Sequence, residues 1–108
     1  MKTLNKKNLA EINSLLNSFR VWNIFAQASK KTDECKTNQE YADLWYALFS
    51  SVKADQCAWV LYNEYGIAVI NEEIVKHYDY EILKNTCNNR YETYKEFERL
   101  AEQDKAAA

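Results

Sequence analysis

The chain has 108 residues, a formal net charge of −2 and 47% apolar residues, which indicate one domain that forms its core without disulfides or metal. One glycine and no proline disfavour tight turns and favour helices. No apolar run approaches the roughly 20 residues that cross a bilayer, and no signal-peptide core follows the basic N-terminus. We expect a cytoplasmic, all-α protein, a compact bundle of about five helices formed by residues 1–105. The run 106–108 is typical of a vector-encoded tail.

The first predicted helix begins at a cap supplied by Thr3 or Asn5 and runs to about Ser29. Its last two turns are apolar nearly all round, since several side chains there lie off the main 3.6-period stripe. These residues are Val21, Ile24 and Phe25. We expect this end to be buried between two neighbours; the alternative is an exposed patch that binds a partner or a second copy.

A polar connector, 29–37, precedes the central predicted helix, Asn38–Val52. Thr37 and Glu40 have the spacing of a capping box, which sets where this helix begins. Its apolar stripe covers more than half the circumference, so we place it, and Trp45 in particular, at the centre of the bundle. A polar break at 53–56 is expected to end it.

The segment 57–70 has two interpretations. As a helix capped by Asp55, it runs from Gln56 to Tyr65 and ends with Gly66 in the left-handed conformation, with Ile67 closing the cap. As a short β-hairpin, it pairs two apolar strands around the turn at Gly66. We prefer the helix because a lone hairpin is weak by itself.

Asn71 is predicted to cap a further helix that ends near Asn85. A connector over 84–90 then leads to a second capping box, Thr93 with Glu96, and to the final helix. Two pairs in that helix have the spacing of surface ion pairs: Lys95 with Glu98, and Arg99 with Glu102.

Residues that could carry catalysis are few. Three cysteines lie far apart, so we expect no disulfide, no metal and no cofactor, with Cys57 in the core and Cys35 and Cys87 near connectors. The only histidine, His77, is four residues from Glu81, a spacing typical of an ordinary pair on one helix. No phosphate-binding loop or nucleophile motif is present, so we predict that the protein is not an enzyme.

Charge is distributed unevenly along the chain. Residues 1–31 carry six basic residues and one acidic residue, whereas the remainder carries eight basic and fifteen acidic residues. The basic residues lie at both ends of the first helix and do not share a face, which argues against direct nucleic-acid binding. An acidic C-terminal half could instead occupy a basic groove meant for nucleic acid.

The run NEYGIAVINEEIVKHYDYEILK, about a fifth of the chain, resembles the helix–Gly–helix segment with an aspartate–tyrosine pair of ArdA-type antirestriction proteins. The matching residues are Glu64, Gly66, Ile70, Glu72, Asp79, Tyr80 and Glu81. The resemblance implies an acidic nucleic-acid mimic that inhibits a DNA-binding defence enzyme. That family is longer and more acidic, and the basic first helix here departs from it.

Three functional hypotheses follow. The first is a non-enzymatic protein-interaction domain, a regulator or inhibitor of the immunity, phage or mobile-element type, because tyrosine and tryptophan are favoured interface anchors. The second is the antirestriction-like mimic, and the third is a small enzyme or ligand-binding bundle with a pocket near His77. Partner-binding candidates lie in the acidic half: Tyr80, Tyr91, Glu92, Glu96, Glu98 and Glu102. The alternative interface is on the first helix: Val21, Trp22, Ile24 and Phe25. We expect a protein partner or a homodimer, and no membrane.

Overall fold

The computed structural model describes residues 1–107, and the chain is all-helical over that range, with no β-strand in it. Four α-helices and one 3₁₀ turn (Thr32–Glu34) make up its regular structure, against about five helices predicted. The helices are α1 (Lys6–Phe25), α2 (Asn38–Tyr65), α3 (Glu72–Val75) and α4 (Tyr80–Ala107). The β-hairpin alternative is wrong, because residues 57–65 are helical. The predicted tail reaches into α4, and Ala108 lies outside the described residues.

Four of the predicted helix ends are confirmed. The side chain of Asn5 accepts a hydrogen bond from the Asn8 N–H at 2.9 Å, and Thr37 accepts one from the Glu40 N–H at 3.1 Å. Asn71 caps α3 in the same way. Gly66 has a φ of 70°, the left-handed conformation that ends α2, as its sequence context predicts.

The predicted break at 53–56 is wrong, because α2 passes through it as one helix of 28 residues. Ala54 is 2% exposed, and Asp55 does not cap a helix but accepts a hydrogen bond from the Tyr78 hydroxyl at 3.2 Å. The polar residues of this stretch therefore belong to a continuous helix and face different neighbours: Lys53 lies over the ring of Trp22 in α1, whereas Asp55 contacts Tyr78. Neighbouring helices supply the burial that the local sequence pattern does not reveal.

The second predicted break is also displaced. Residues 84–90 are helical, and the chain turns earlier, between Val75 and Tyr80. Asp79 caps α4 by accepting hydrogen bonds from the N–H groups of Glu81 (2.9 Å) and Ile82 (3.2 Å). Thr93 lies inside α4 and donates its hydroxyl to the Asn89 carbonyl, so it caps nothing.

The helix α2 lies between α1 and α4, with which it makes the main tertiary contacts. Near the C-terminal end of α2, Ile12 of α1 packs in a cluster with Leu61 and Tyr65. Nearer its middle, a second cluster contains buried residues of α2 and α4 with Trp22 of α1 against it; the buried members are Phe49, Val52, Leu83 and Cys87. The molecule measures 56 × 27 × 22 Å. None of the helices within 1–107 is long and apolar enough to cross a membrane.

Candidate protein-interaction surface

The end of α1 exposes apolar side chains and is not buried between two neighbours, contrary to our expectation. Val21 is 47% exposed, Ile24 63% and Phe25 49%. Their spacing of three and four residues places them on one ridge of the helix. We call these three residues the apolar ridge. Trp22, the fourth residue of the predicted alternative interface, is half-buried and packs against the core.

An aromatic band extends from the apolar ridge across α2 to α4. It consists of Trp22, Phe25, Tyr46, Phe49, Tyr91 and Tyr94. The ring centroids of Phe25 and Tyr46 are 6.0 Å apart, those of Tyr46 and Tyr94 5.0 Å, and those of Phe49 and Tyr91 5.2 Å. Such contacts hold the rings in fixed positions. The band therefore joins two surfaces that the sequence presents as alternatives, the end of α1 and the acidic half of α4.

A shallow groove of 510 Å³ follows α4 beyond Tyr91, and we call it the α4 groove. It is lined by Tyr91, Glu92, Lys95, Glu96, Glu98, Arg99 and Glu102. Five of the six predicted partner-binding residues of the acidic half therefore lie together, as helical spacing predicts.

Cations on the same helix pair with most of these carboxylates. Lys95 pairs with Glu98 at 2.6 Å, as predicted. Arg99 pairs with Glu96 and not with Glu102, which instead lies 3.4 Å from Lys105. Glu92 is the one groove carboxylate that takes part in none of the ion pairs of residues 1–107. Three of the four carboxylates of the groove are thus partly neutralised by a neighbouring cation.

Hydrogen bonding ties the groove to the aromatic band. The Tyr94 hydroxyl donates to Glu98, and this bond, together with burial, raises the pKa of Tyr94 to about 12. Lys95 lowers the pKa of Glu98, and the bond from Tyr94 lowers it further. Arg99 lowers the pKa of Glu96 by hydrogen bonding. These carboxylates are therefore ionised at neutral pH and held in place by their partners.

Tyr80, the sixth predicted residue, lies apart from the others at the first turn of α4. Its ring is 4.6 Å from that of Trp59, and it lines a different, smaller cleft together with Trp22. The separation arises because α4 is one continuous helix, in which residues 80 and 91 are three turns apart. Two other residues of the antirestriction-like run have structural roles: Gly66 ends α2 and Asp79 caps α4.

The cleft that contains Cys57 is lined by neither His77 nor Tyr62. His77 is exposed in the turn after α3, while Glu81 belongs to α4, so the predicted pair does not share a helix. All three cysteines are free. Cys35 lies in the connector between α1 and α2, as expected, although its side chain is buried. Cys57 is only half-buried and Cys87 is buried inside α4, contrary to our expectation. Among residues 1–107, no three His, Cys, Asp or Glu side chains converge on a point that could hold a metal ion.

One apolar groove is missing from the sequence-based predictions. It has a volume of 510 Å³ and borders the apolar ridge at Ile24, without including Val21 or Phe25. Its lining residues are Leu16, Phe19, Arg20, Asn23, Ile24, Gln27 and Val69. Leu16 and Phe19 belong to the main apolar stripe of α1, so the sequence assigns them to the core. Only the position of Val69, which is four residues beyond the end of α2, creates the groove beside them.

The chain matches no protein-family model, no curated protein and no solved structure. The antirestriction resemblance therefore depends only on the residues quoted for it.

Proposed function

We propose that this chain is a small non-enzymatic interaction domain, a regulator or inhibitor that acts by binding a partner protein. The observation that carries the proposal is the apolar ridge, whose Val21, Ile24 and Phe25 expose about half or more of their surface on a rigid helix. Three large apolar side chains exposed side by side form a patch, and exposed apolar patches often mark protein-interaction sites.

The surroundings of the ridge have the composition of an interface. The aromatic band extends the ridge as far as Tyr91, which is 44% exposed. The charged α4 groove borders the band beyond Tyr91. An apolar centre with aromatic anchors and a polar rim is the usual arrangement of protein–protein interfaces. We further propose that the chain acts in the cytoplasm as a regulator or inhibitor of the immunity, phage or mobile-element type.

The antirestriction-like mimic receives less support from the geometry. A nucleic-acid mimic needs carboxylates whose charge is available to a basic groove. Here Glu96, Glu98 and Glu102 each have a cation of α4 within 3.4 Å. The enzyme hypothesis has no assembled catalytic group in support, since His77 is exposed and does not line the cleft that contains Cys57.

Site-specific photo-cross-linking tests the proposal. A benzophenone amino acid replaces Val21 in one variant and Gln103, an exposed residue of α4 away from the ridge, in a control. In a lysate of the source organism, we expect the Val21 probe to capture one defined protein, or a second copy of this chain, and the Gln103 probe to capture neither.

The captured complex must then depend on the ridge. Ile24→Ser should abolish cross-linking at Val21 without lowering the thermal midpoint, because Ile24 is 63% exposed. No specific product at Val21, or a product that Ile24→Ser leaves unchanged, would remove the basis of the proposal.

A further inference from the structure

A small cleft opens where α1, the middle of α2 and the first turn of α4 meet. Its volume is 190 Å³. It is lined by two aliphatic and two aromatic side chains, one thiol, one amide and one ammonium group: Leu15, Trp22, Lys53, Gln56, Cys57, Val60 and Tyr80. No carboxylate lines it. The cleft is separate from the α4 groove, and of the apolar ridge and aromatic band it shares only Trp22.

Lys53 is the one charged residue of this cleft. Its Nζ lies 5.8 Å from the ring centroid of Trp22 and 5.8 Å from that of Phe49. Both rings attract the ammonium group, and the aliphatic stem of the lysine covers apolar surface. Lys53 belongs to none of the ion pairs and hydrogen bonds between side chains in residues 1–107.

The positive charge of Lys53 acts on its surroundings. Burial raises the pKa of Cys57 and that of Cys87, and in both cases Lys53 partly offsets the effect. The Lys53 ammonium group thus lies near two aromatic rings, and no carboxylate lines the cleft to balance its charge. Charge complementarity indicates that the ligand of such a cleft carries a negative charge.

We propose that this cleft binds a small organic carboxylate with a body no larger than about one aromatic ring. One ammonium group matches one carboxylate, whereas a phosphate dianion calls for more donors than this cleft offers. The Gln56 amide can donate a second hydrogen bond to the carboxylate. The apolar walls formed by Leu15, Trp22 and Val60 suit a ring, and the small volume excludes drug-sized molecules, whose pockets measure roughly 300–1,000 Å³.

An NMR titration of the ¹⁵N-labelled protein tests this, with phenylacetate as the probe and phenylacetamide as its neutral isostere. We expect phenylacetate to shift the Trp22 indole N–H and the amides of 53–60 saturably, with a Kd on the order of millimolar, as suits about ten heavy atoms. Phenylacetamide should bind at least about 10-fold more weakly, because it lacks the charge that Lys53 recognises.

Three variants refine the test. Lys53→Met keeps the apolar stem and should weaken phenylacetate binding at least about 10-fold, while Lys53→Arg keeps the charge and should stay within about 3-fold. Lys7→Met removes the same charge from an exposed position of α1 and should leave the Kd unchanged.

Equal binding of phenylacetate and phenylacetamide by the unaltered protein would overturn the proposal without recourse to any variant. So would shifts that map outside the cleft, the absence of saturable shifts, or equal effects of Lys53→Met and Lys7→Met. None of these outcomes bears on the apolar ridge, so the proposed interaction function is tested separately.

Discussion

Trp22 of α1 and Phe49 of α2 pack edge to face, with ring centroids 5.6 Å apart and planes at 84°. Phe49 also contacts Tyr46 and Tyr91, so one side chain of α2 connects α1 with α4. It is 8% exposed, whereas Trp45, which the sequence places at the centre, is only half-buried. Phe49, and not Trp45, is thus an aromatic residue of α2 that bridges α1 and α4.

Phe49→Ala should lower the free energy of unfolding by roughly 3–5 kcal/mol, because it leaves a cavity where three helices meet. Trp45→Ala should cost clearly less, since Trp45 is partly in water already. Urea denaturation of the two variants measures the difference. A larger loss for Trp45→Ala would return the centre to the position that the sequence indicates.

Asp79→Ala should lower the free energy of unfolding by about 1 kcal/mol, because the N–H groups of Glu81 and Ile82 lose their acceptor. Asp79→Ser keeps an acceptor and should recover most of this. Thr93→Ala, at the capping position predicted from sequence, should change stability by less than about 0.5 kcal/mol, since Thr93 lies inside α4. Chemical denaturation under one set of conditions ranks the three, and the reverse ranking would contradict the continuous helix.

Gly66→Ala should lower the free energy of unfolding by roughly 1 kcal/mol, because a φ of 70° brings Cβ close to the carbonyl oxygen. A Cβ there would also meet the Met1 side chain, which is flexible enough to move. Asn tolerates the left-handed conformation better, so Gly66→Asn should cost less. Thermal melts of the two variants provide the comparison, and equal stability would mean that α2 ends differently in solution.

Burial raises the pKa of Asp55, and only in part do the Tyr78 hydroxyl and Arg90 oppose that effect. The folded state therefore binds the carboxyl proton of Asp55 more tightly than the unfolded state does. Asp55 contributes most to stability at pH values below 3.8, its ordinary pKa, and this contribution falls as the pH rises through the raised pKa. Asp55→Asn keeps an acceptor for Tyr78 but does not titrate. The difference in thermal midpoint between this variant and the unaltered protein should therefore shift in favour of the variant as the pH is raised from 3 to 7. A relative decline over this range would contradict the sign.

Association with the partner captured through the apolar ridge should depend on salt and on Glu92, the groove carboxylate without an ion pair. Glu92→Lys should slow association several-fold, and Glu96→Lys less, because Arg99 already pairs with Glu96. Tyr91→Ala should act mainly on dissociation, as loss of an aromatic anchor does. Biolayer interferometry at salt concentrations below and above 0.15 M, where the Debye length is about 8 Å, separates the two effects. Rates indifferent to salt and to Glu92→Lys would confine the interface to α1.

Local chemistry alone determined several features of this protein. The absence of proline and the single glycine favoured helices over tight turns. Asn5, Thr37, Gly66 and Asn71 set helix ends that the structure reproduces, because each cap involves backbone groups only a few residues away. The clustering of the acidic candidates after Tyr91 followed in the same way, since neighbours on a helix are defined by sequence spacing.

The tertiary structure decided the rest. The polar composition of 53–56 and 84–90 predicts connectors, yet both stretches are helical. The first continues as helix because α1 and α4 pack against α2, and the second because Cys87 packs into the core between α2 and α4. Whether the apolar end of α1 is core or surface was likewise open. The apolar stripe of α1 predicts that the helix packs against a neighbour, but it does not predict how many neighbours there are. Only the placement of the helices leaves Val21, Ile24 and Phe25 exposed. Burial depends on residues distant in the chain, which periodicity does not encode.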